Sequence, residues 1–217
     1  MTPPLLALRD RYLAAQLVGD QRAALAVLDE ALAAGSHVVD LQQGVVQAAQ
    51  LEIGRLWQEN QLSVAHEHMA TAISHIALAH LLRHAPAVAA RTPKVVVACV
   101  EGERHDLPAR LVADFLEQSG FAVRFLGADV PSEVLPTFVA AERPDVVCLS
   151  TTMVFNLGGL RGAVAALRAR FPGLPILAGG NALAWQPDIA DELGVTLVAG
   201  DPAQIVAAVE RTMEARA

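Results

Sequence analysis

From Leu5 to His84 apolar residues recur every three or four positions, the period of helices that bury one face. Leu5 to Leu17 is one amphipathic segment. Asp20 caps a second, QRAALAVLDEALAA, which Gly35 closes in the C′ position. Ser36 is expected to cap a third that runs to about Gln58, with Val38, Leu41, Val45, Ala49, Ile53 and Leu56 on its apolar face. Ser63 caps the fourth, which continues to about His84. Short connections between them predict an up-down four-helix bundle over residues 1–84.

After a linker, APAVAARTP at 85–93, the period changes. KVVVACV (94–100), FAVRFL (121–126), DVVCLS (145–150), LPILAGG (174–180) and VTLVAG (195–200) are short apolar runs that alternate with helical patterns at about 108–119, 131–143, 157–171, 187–193 and from Asp201 onward. Near-continuous apolar strands fit a parallel sheet covered on both faces. Right-handed crossovers make residues 94–217 a doubly wound, flavodoxin-like five-stranded sheet of order 2-1-3-4-5. The fold class is therefore all-α plus α/β.

Composition narrows the functions. A net charge of −7 argues against direct DNA or RNA binding, which needs a basic footprint. No apolar run approaches the ~18–20 residues that span a bilayer, and MTPPLLALRDRY lacks the basic start and long apolar core expected of a signal peptide. A cytoplasmic protein is expected. Its two cysteines, Cys99 and Cys148, lie in apolar strand runs as buried reduced thiols.

In a sheet of this order the crevice opens beyond the carboxyl ends of strands one and three. EGERHDLP (101–108) follows strand one and TTMVFNLGG (151–159) follows strand three, while strand four ends in Gly179-Gly180. The first loop lacks the GxGxxG of a pyrophosphate site. It places His105 between Glu103 and Asp106. A metal-bound imidazole usually gives its other ring N–H to such a carboxylate. One histidine cannot hold zinc by itself, but it can ligate a metal whose other ligands come from a macrocycle. A solvated loop with an incidental histidine is the plain alternative.

These residues resemble cobalamin-binding domains, which carry Asp-x-His-x-x-Gly after the first strand, Ser-x-Leu or Ser-x-Thr after the third and Gly-Gly after the fourth. Here the counterparts are Glu103-x-His105-x-x-Pro108, Ser150-Thr151-Thr152 and Gly179-Gly180. The helical half resembles the cap over a corrin. Trp57, nine residues, then Glu67-His68 is similar to adenosylcobalamin photoreceptors of the CarH/LitR type, as is Gly102-Glu103-Arg104-His105. The resemblance implies adenosylcobalamin as cofactor, held base-off with His105 as the lower cobalt ligand and Glu103 orienting it. Arg104 and Asp106 flank that ligand. The nucleotide tail would run past Ser150, Thr152, Val154, Gly179 and Gly180. Trp57 and Glu67 would cover the adenosyl group, and His68 would be a latent upper ligand after photolysis.

Two departures stand out. Pro108 replaces the motif glycine, tolerable in the first turn of a helix. The chain also shows no basic helix-turn-helix ahead of its first helix, so direct repression of DNA is not expected. A stand-alone light sensor follows, not an enzyme, read by a partner protein or by a homo-oligomer. The rivals are a corrinoid methyl carrier of a methyltransferase system and a cobalamin storage or chaperone protein. The remaining histidines carry less weight. His80 and His84 have the i, i+4 spacing of a shared metal but no visible third ligand, and are read as helix-end residues; His75 shares a face with His68, and His37 is surface.

Overall fold

A computed structural model describes residues 3–89 and 91–214; Ala90 of the expected linker and the terminal residues of both expected domains fall outside these. The chain divides into two units, Met1–Pro86 and Ala87–Ala217.

The first unit is helical: α1 (Pro3–Leu17), α2 (Gln21–Ala33), α3 (Val38–Leu41), a π-helical stretch at Gln42–Gln47, α4 (Ala48–Gln58) and α5 (Val64–Leu82). The Asp20 carboxylate accepts the Ala23 N–H at 2.9 Å, and the Ser63 hydroxyl accepts that of His66. Gly35 takes φ +88° just past α2, where a side chain would be strained. The expected Ser36 cap is not found. His37 occupies the N-cap of α3 with extended backbone and makes no side-chain cap bond. The third helix is also not uniform, since the π-helical stretch separates α3 from α4. Leu28, Leu41, Ile53, Leu78 and Leu81 are fully buried at the centre of this unit, each worth roughly 1.5–3 kcal/mol of transfer free energy.

The second unit is a five-stranded parallel sheet of order β2-β1-β3-β4-β5, the order predicted. Its elements are β1 (Arg91–Cys99), α6 (Leu107–Gln118), β2 (Phe121–Phe125), α7 (Leu135–Glu142), β3 (Val146–Ser150), a 3₁₀ turn at Val154–Asn156, α8 (Leu157–Arg170), β4 (Ile176–Gly179), α9 (Asn181–Trp185), α10 (Asp188–Leu193), β5 (Thr196–Val198) and α11 (Pro202–Glu214). Alternate β1 residues serve opposite faces. Val96 and Ala98 pack with Leu135 and Val139 of α7 and Leu160, Val164 and Leu167 of α8. Val95, Val97 and Cys99 pack with Ala109, Ala113 and Leu116 of α6 and Val209 of α11. Cys99 and Cys148 are free and buried, and burial pushes both thiols up to about 12.

Two boundaries and one element depart furthest from expectation. β1 begins at Arg91, inside the expected linker, and its pairing with β2 shifts between Arg91 and Lys94; Pro93 stands within the shift, where a residue without an N–H cannot continue a ladder. The helix expected from Pro131 starts only at Leu135, because residues 131–134 form a turn closed by the Val134 N–H on the Pro131 carbonyl. The short α9, after β4, was not expected. Among the described residues no helix is long and apolar enough to cross a membrane.

Candidate functional site

The loop after β1 is built around one buried carboxylate. Gly102 turns the chain with φ +83°, and its N–H is held by the Asp129 carboxylate at 2.6 Å. Asp129 in turn donates its own N–H to the Glu103 carbonyl at 2.8 Å. The Glu103 side chain is thereby sent inward, to 0% exposure. Its Oε1 accepts the His105 backbone N–H at 2.9 Å and the His105 Nδ1–H at 2.5 Å. Its Oε2 accepts the backbone N–H groups of Thr152 and Met153 at 2.8 and 2.9 Å, and Asn156 Nδ2 at 3.0 Å.

Burial alone would raise the Glu103 pKa. The His105 ring, the Asn156 amide and the N–H groups of Met153 and His105 outweigh it and hold the carboxyl at about 2. An ionised carboxylate only accepts, so His105 Nδ1 carries a proton, and Nε2 is the nitrogen that the neutral ring would turn to a metal. The ring is 44% exposed while its partner is sealed. The arrangement offers a single oriented nitrogen donor at the carboxyl edge of the sheet.

The loops after β3 and β4 meet the same edge. Ser150 is buried and pairs in register with Cys99 and Gly179. The Thr151 N–H donates to the Gly179 carbonyl at 2.9 Å, and the Thr151 carbonyl accepts the Ala182 N–H. The hydroxyls of Thr151 and Thr152 are buried without a hydrogen-bond partner. Val154 opens the 3₁₀ turn and packs on the core. Arg104 is exposed, and Asp106 precedes α6, its carbonyl accepting the Arg110 N–H at 2.8 Å. Pro108 lies in the first turn of α6, as anticipated.

The two glycines have a reason of their own. A Cβ on Gly179 would lie 2.6 Å from the Val198 carbonyl oxygen, and one on Gly180, at φ +107°, 2.3 Å from that of Thr151. Gly180→Ala is therefore expected to destabilise the chain by at least about 2 kcal/mol. Gly158→Ala, which meets nothing within 4 Å, should shift it by less than about 1 kcal/mol. Urea titrations of both variants check this, and equal midpoints would refute it.

The remaining expected residues belong to the helical unit. Trp57 stands in the last turn of α4 and is 36% exposed. Glu67 lies in the first turn of α5, across the turn at residues 59–63. Glu67 Oε1 accepts the Thr71 hydroxyl at 2.7 Å, and the Gln50 amide reaches both Thr71 and Glu67. The network continues inward, from Ser74 Oγ to Gln50 Oε1 and from the buried Gln16 amide to Ser74 and the Ala70 carbonyl. Glu67 Oε2 is 2.5 Å from His68 Nδ1, whose ring is 72% exposed.

Sequence reasoning missed Asn156 and Asp129 and took Thr151 only as the spacer of its motif. A polar residue in an otherwise apolar loop was the available signal for Asn156; Asp129, after β2, gave none.

Residues 93–210 match the family model described as the B12 binding domain, and residues 8–82 match a second model with the same description. The chain is 32% identical over 194 residues to the HTH-type transcriptional repressor CarH of Myxococcus xanthus, covering 89% of this chain and 64% of that one. It is 29% identical over 143 residues to trimethylamine corrinoid protein 1 of Methanosarcina acetivorans, covering 64% and 65%. The chain thus spans less than two thirds of the length of either relative. Among solved structures, the monomethylamine corrinoid protein of Methanosarcina barkeri superposes with a TM-score of 0.75 at 20% identity, over 95% of this chain and 97% of that one.

Proposed function

Because the chain belongs to the family of B12 binding domains, we propose that it is a cobalamin-dependent light sensor with His105 as the lower ligand of cobalt. The residues fit such a group. The donor set is one imidazole nitrogen with its proton fixed on the opposite side by a buried carboxylate, too few ligands for a bare ion and suited to a metal already held by a macrocycle. Orphaned hydroxyls at Thr151 and Thr152 await polar partners on the same edge.

When bound, adenosylcobalamin supplies a cobalt–carbon bond that visible light cleaves. The chain's own part is recognition and response. Trp57 offers a flat apolar surface for an adenine. Glu67 offers acceptors for a ribose, and its bonds from Thr71 and Gln50 link any change at its carboxylate to the packing of α4 on α5. His68 carries a second, exposed imidazole one residue on. The observation that carries the reading is this trio about one turn of the helical unit, with Glu67 wired into a buried polar network. A net charge of −7 favours a protein partner or a second copy of the chain as the reader of the signal.

The test is to add adenosylcobalamin in the dark, record the visible spectrum and the hydrodynamic size, illuminate with green light and repeat both. Spectrum and size should both change. An unchanged spectrum removes the light reading and leaves cobalamin binding standing. A changed spectrum at constant size points to storage. The similarity to a trimethylamine corrinoid protein supports a methyl carrier as the second reading; Trp57→Ala would then leave cofactor uptake and methyl transfer intact.

A further inference from the structure

At the other end of α5 a second group of ligand atoms converges. His80 lies in its last turn, His84 two residues beyond it, and Asp29 on α2. His80 Nε2 is 2.6 Å from Asp29 Oδ1. The two imidazole rings are 5.2 Å apart, inclined by 57°. One ligand atom from each of the three residues lies within 4.8 Å of the others, the one such group among the described residues. The spacing of His80 and His84 was visible in the sequence; the third ligand comes from fifty-odd residues away and only folding delivers it.

An ion pair between His80 and Asp29 would explain one imidazole, not the second ring set beside it. Two protonated rings at this distance would repel. Two neutral ones with a carboxylate form a two-histidine, one-acid donor set, the chemistry that selects zinc-class ions over calcium or magnesium. Tetrahedral bonds of about 2 Å place ligand atoms about 3.3 Å apart. Asp29 and His84 are exposed and His80 partly so, so small side-chain rotations close the remaining distance while the packed helices stay fixed. We propose that Asp29, His80 and His84 bind a zinc-class divalent cation, with water in the fourth position, pinning the C-terminal end of α5 to α2. The site brackets the far end of the helix that carries Glu67 and His68, and it does not depend on the corrin reading.

The experiment uses the full chain, free of cofactor and of any histidine tag, titrated with Zn²⁺ against a chromogenic chelator. One equivalent should bind, and His105→Ala should retain it. His84→Ala and Asp29→Asn should each weaken binding by at least about tenfold, while His37→Ala, an exposed control, should not. Zinc at about a hundred times its Kd should raise the Tm of the parent chain by about 5 °C, and not that of the two variants. Circular dichroism shows whether each variant keeps its helices; the substitutions lie on different elements, so one folding defect leaves the other variant decisive. Absent zinc uptake, or equal affinity in parent and variants, overturns the site.

Discussion

Glu103→Gln is expected to cost about 3 kcal/mol of folding stability at pH 7 and to weaken corrin binding about 10- to 100-fold. The carboxylate receives five N–H groups, two from His105, one each from Thr152 and Met153, and one from Asn156. A glutamine amide keeps the shape but turns one acceptor into a donor, which must face some of those N–H groups inside a sealed site. The energy follows from linkage. The carboxyl is held at about 2 against an ordinary 4.5, and each pKa unit is worth about 1.4 kcal/mol. A depressed carboxyl stabilises fully above its unfolded value, so the contribution is present above pH 4.5 and is lost as pH falls toward 2. Urea unfolding at pH 7, 4.5 and 3 measures both parts: the variant should start lower and lack this component of the acid slope. Parallel curves for parent and variant would refute the clamp. The loss of corrin affinity is the usual penalty for removing the partner that orients a metal-bound histidine.

His105→Ala should do the reverse, sparing the fold and abolishing ligation. Its ring is 44% exposed, and Glu103 retains four of its five donors without it. The urea midpoint should therefore fall by less than about 1 kcal/mol equivalent. The chain with adenosylcobalamin should lose the base-off, histidine-bound spectrum and at least about a hundredfold in affinity, the loss of one metal ligand. A parent-like spectrum from the variant would mean that another residue ligates cobalt. Together the two variants separate the holding of the loop from the holding of the metal: the first should remove the acid-slope component, and the second, which strips the Glu103 carboxylate of its ring donor alone, should only reduce it.

The sheet was legible because its strands announce themselves. Val95–Cys99 and Val146–Leu149 are apolar and buried on both faces, as a doubly covered parallel sheet demands. Glu103 and His105 could be read from spacing, because the pair is local and its geometry follows from a two-residue offset. Burial of the carboxylate could not, since it depends on N–H groups at Thr152 and Met153 that arrive from the next strand but one. Asp129, too, acts from a loop nearly thirty residues away. Ser36 misled because a good capping residue was chosen by type, whereas the chain enters α3 one residue later. Pro131 misled similarly: proline suits a first helical turn, but here it opens a turn ahead of α7.

The π-helical stretch at Gln42–Gln47 has a consequence for Trp57. Leu41, Val45, Ala49 and Ile53 are all at 0% exposure and follow one another in steps of four. On a straight α-helix each such step slips about 40° around the cylinder, or about 120° from Leu41 to Ile53. The wider winding admits one surplus residue and absorbs about 100° of that slip. It works as a phase corrector, re-aiming everything downstream as a single rod. Shorten it by one residue and the indole of Trp57 would swing more than a quarter of the way round its axis, so the azimuth of that aromatic surface is set a dozen residues upstream.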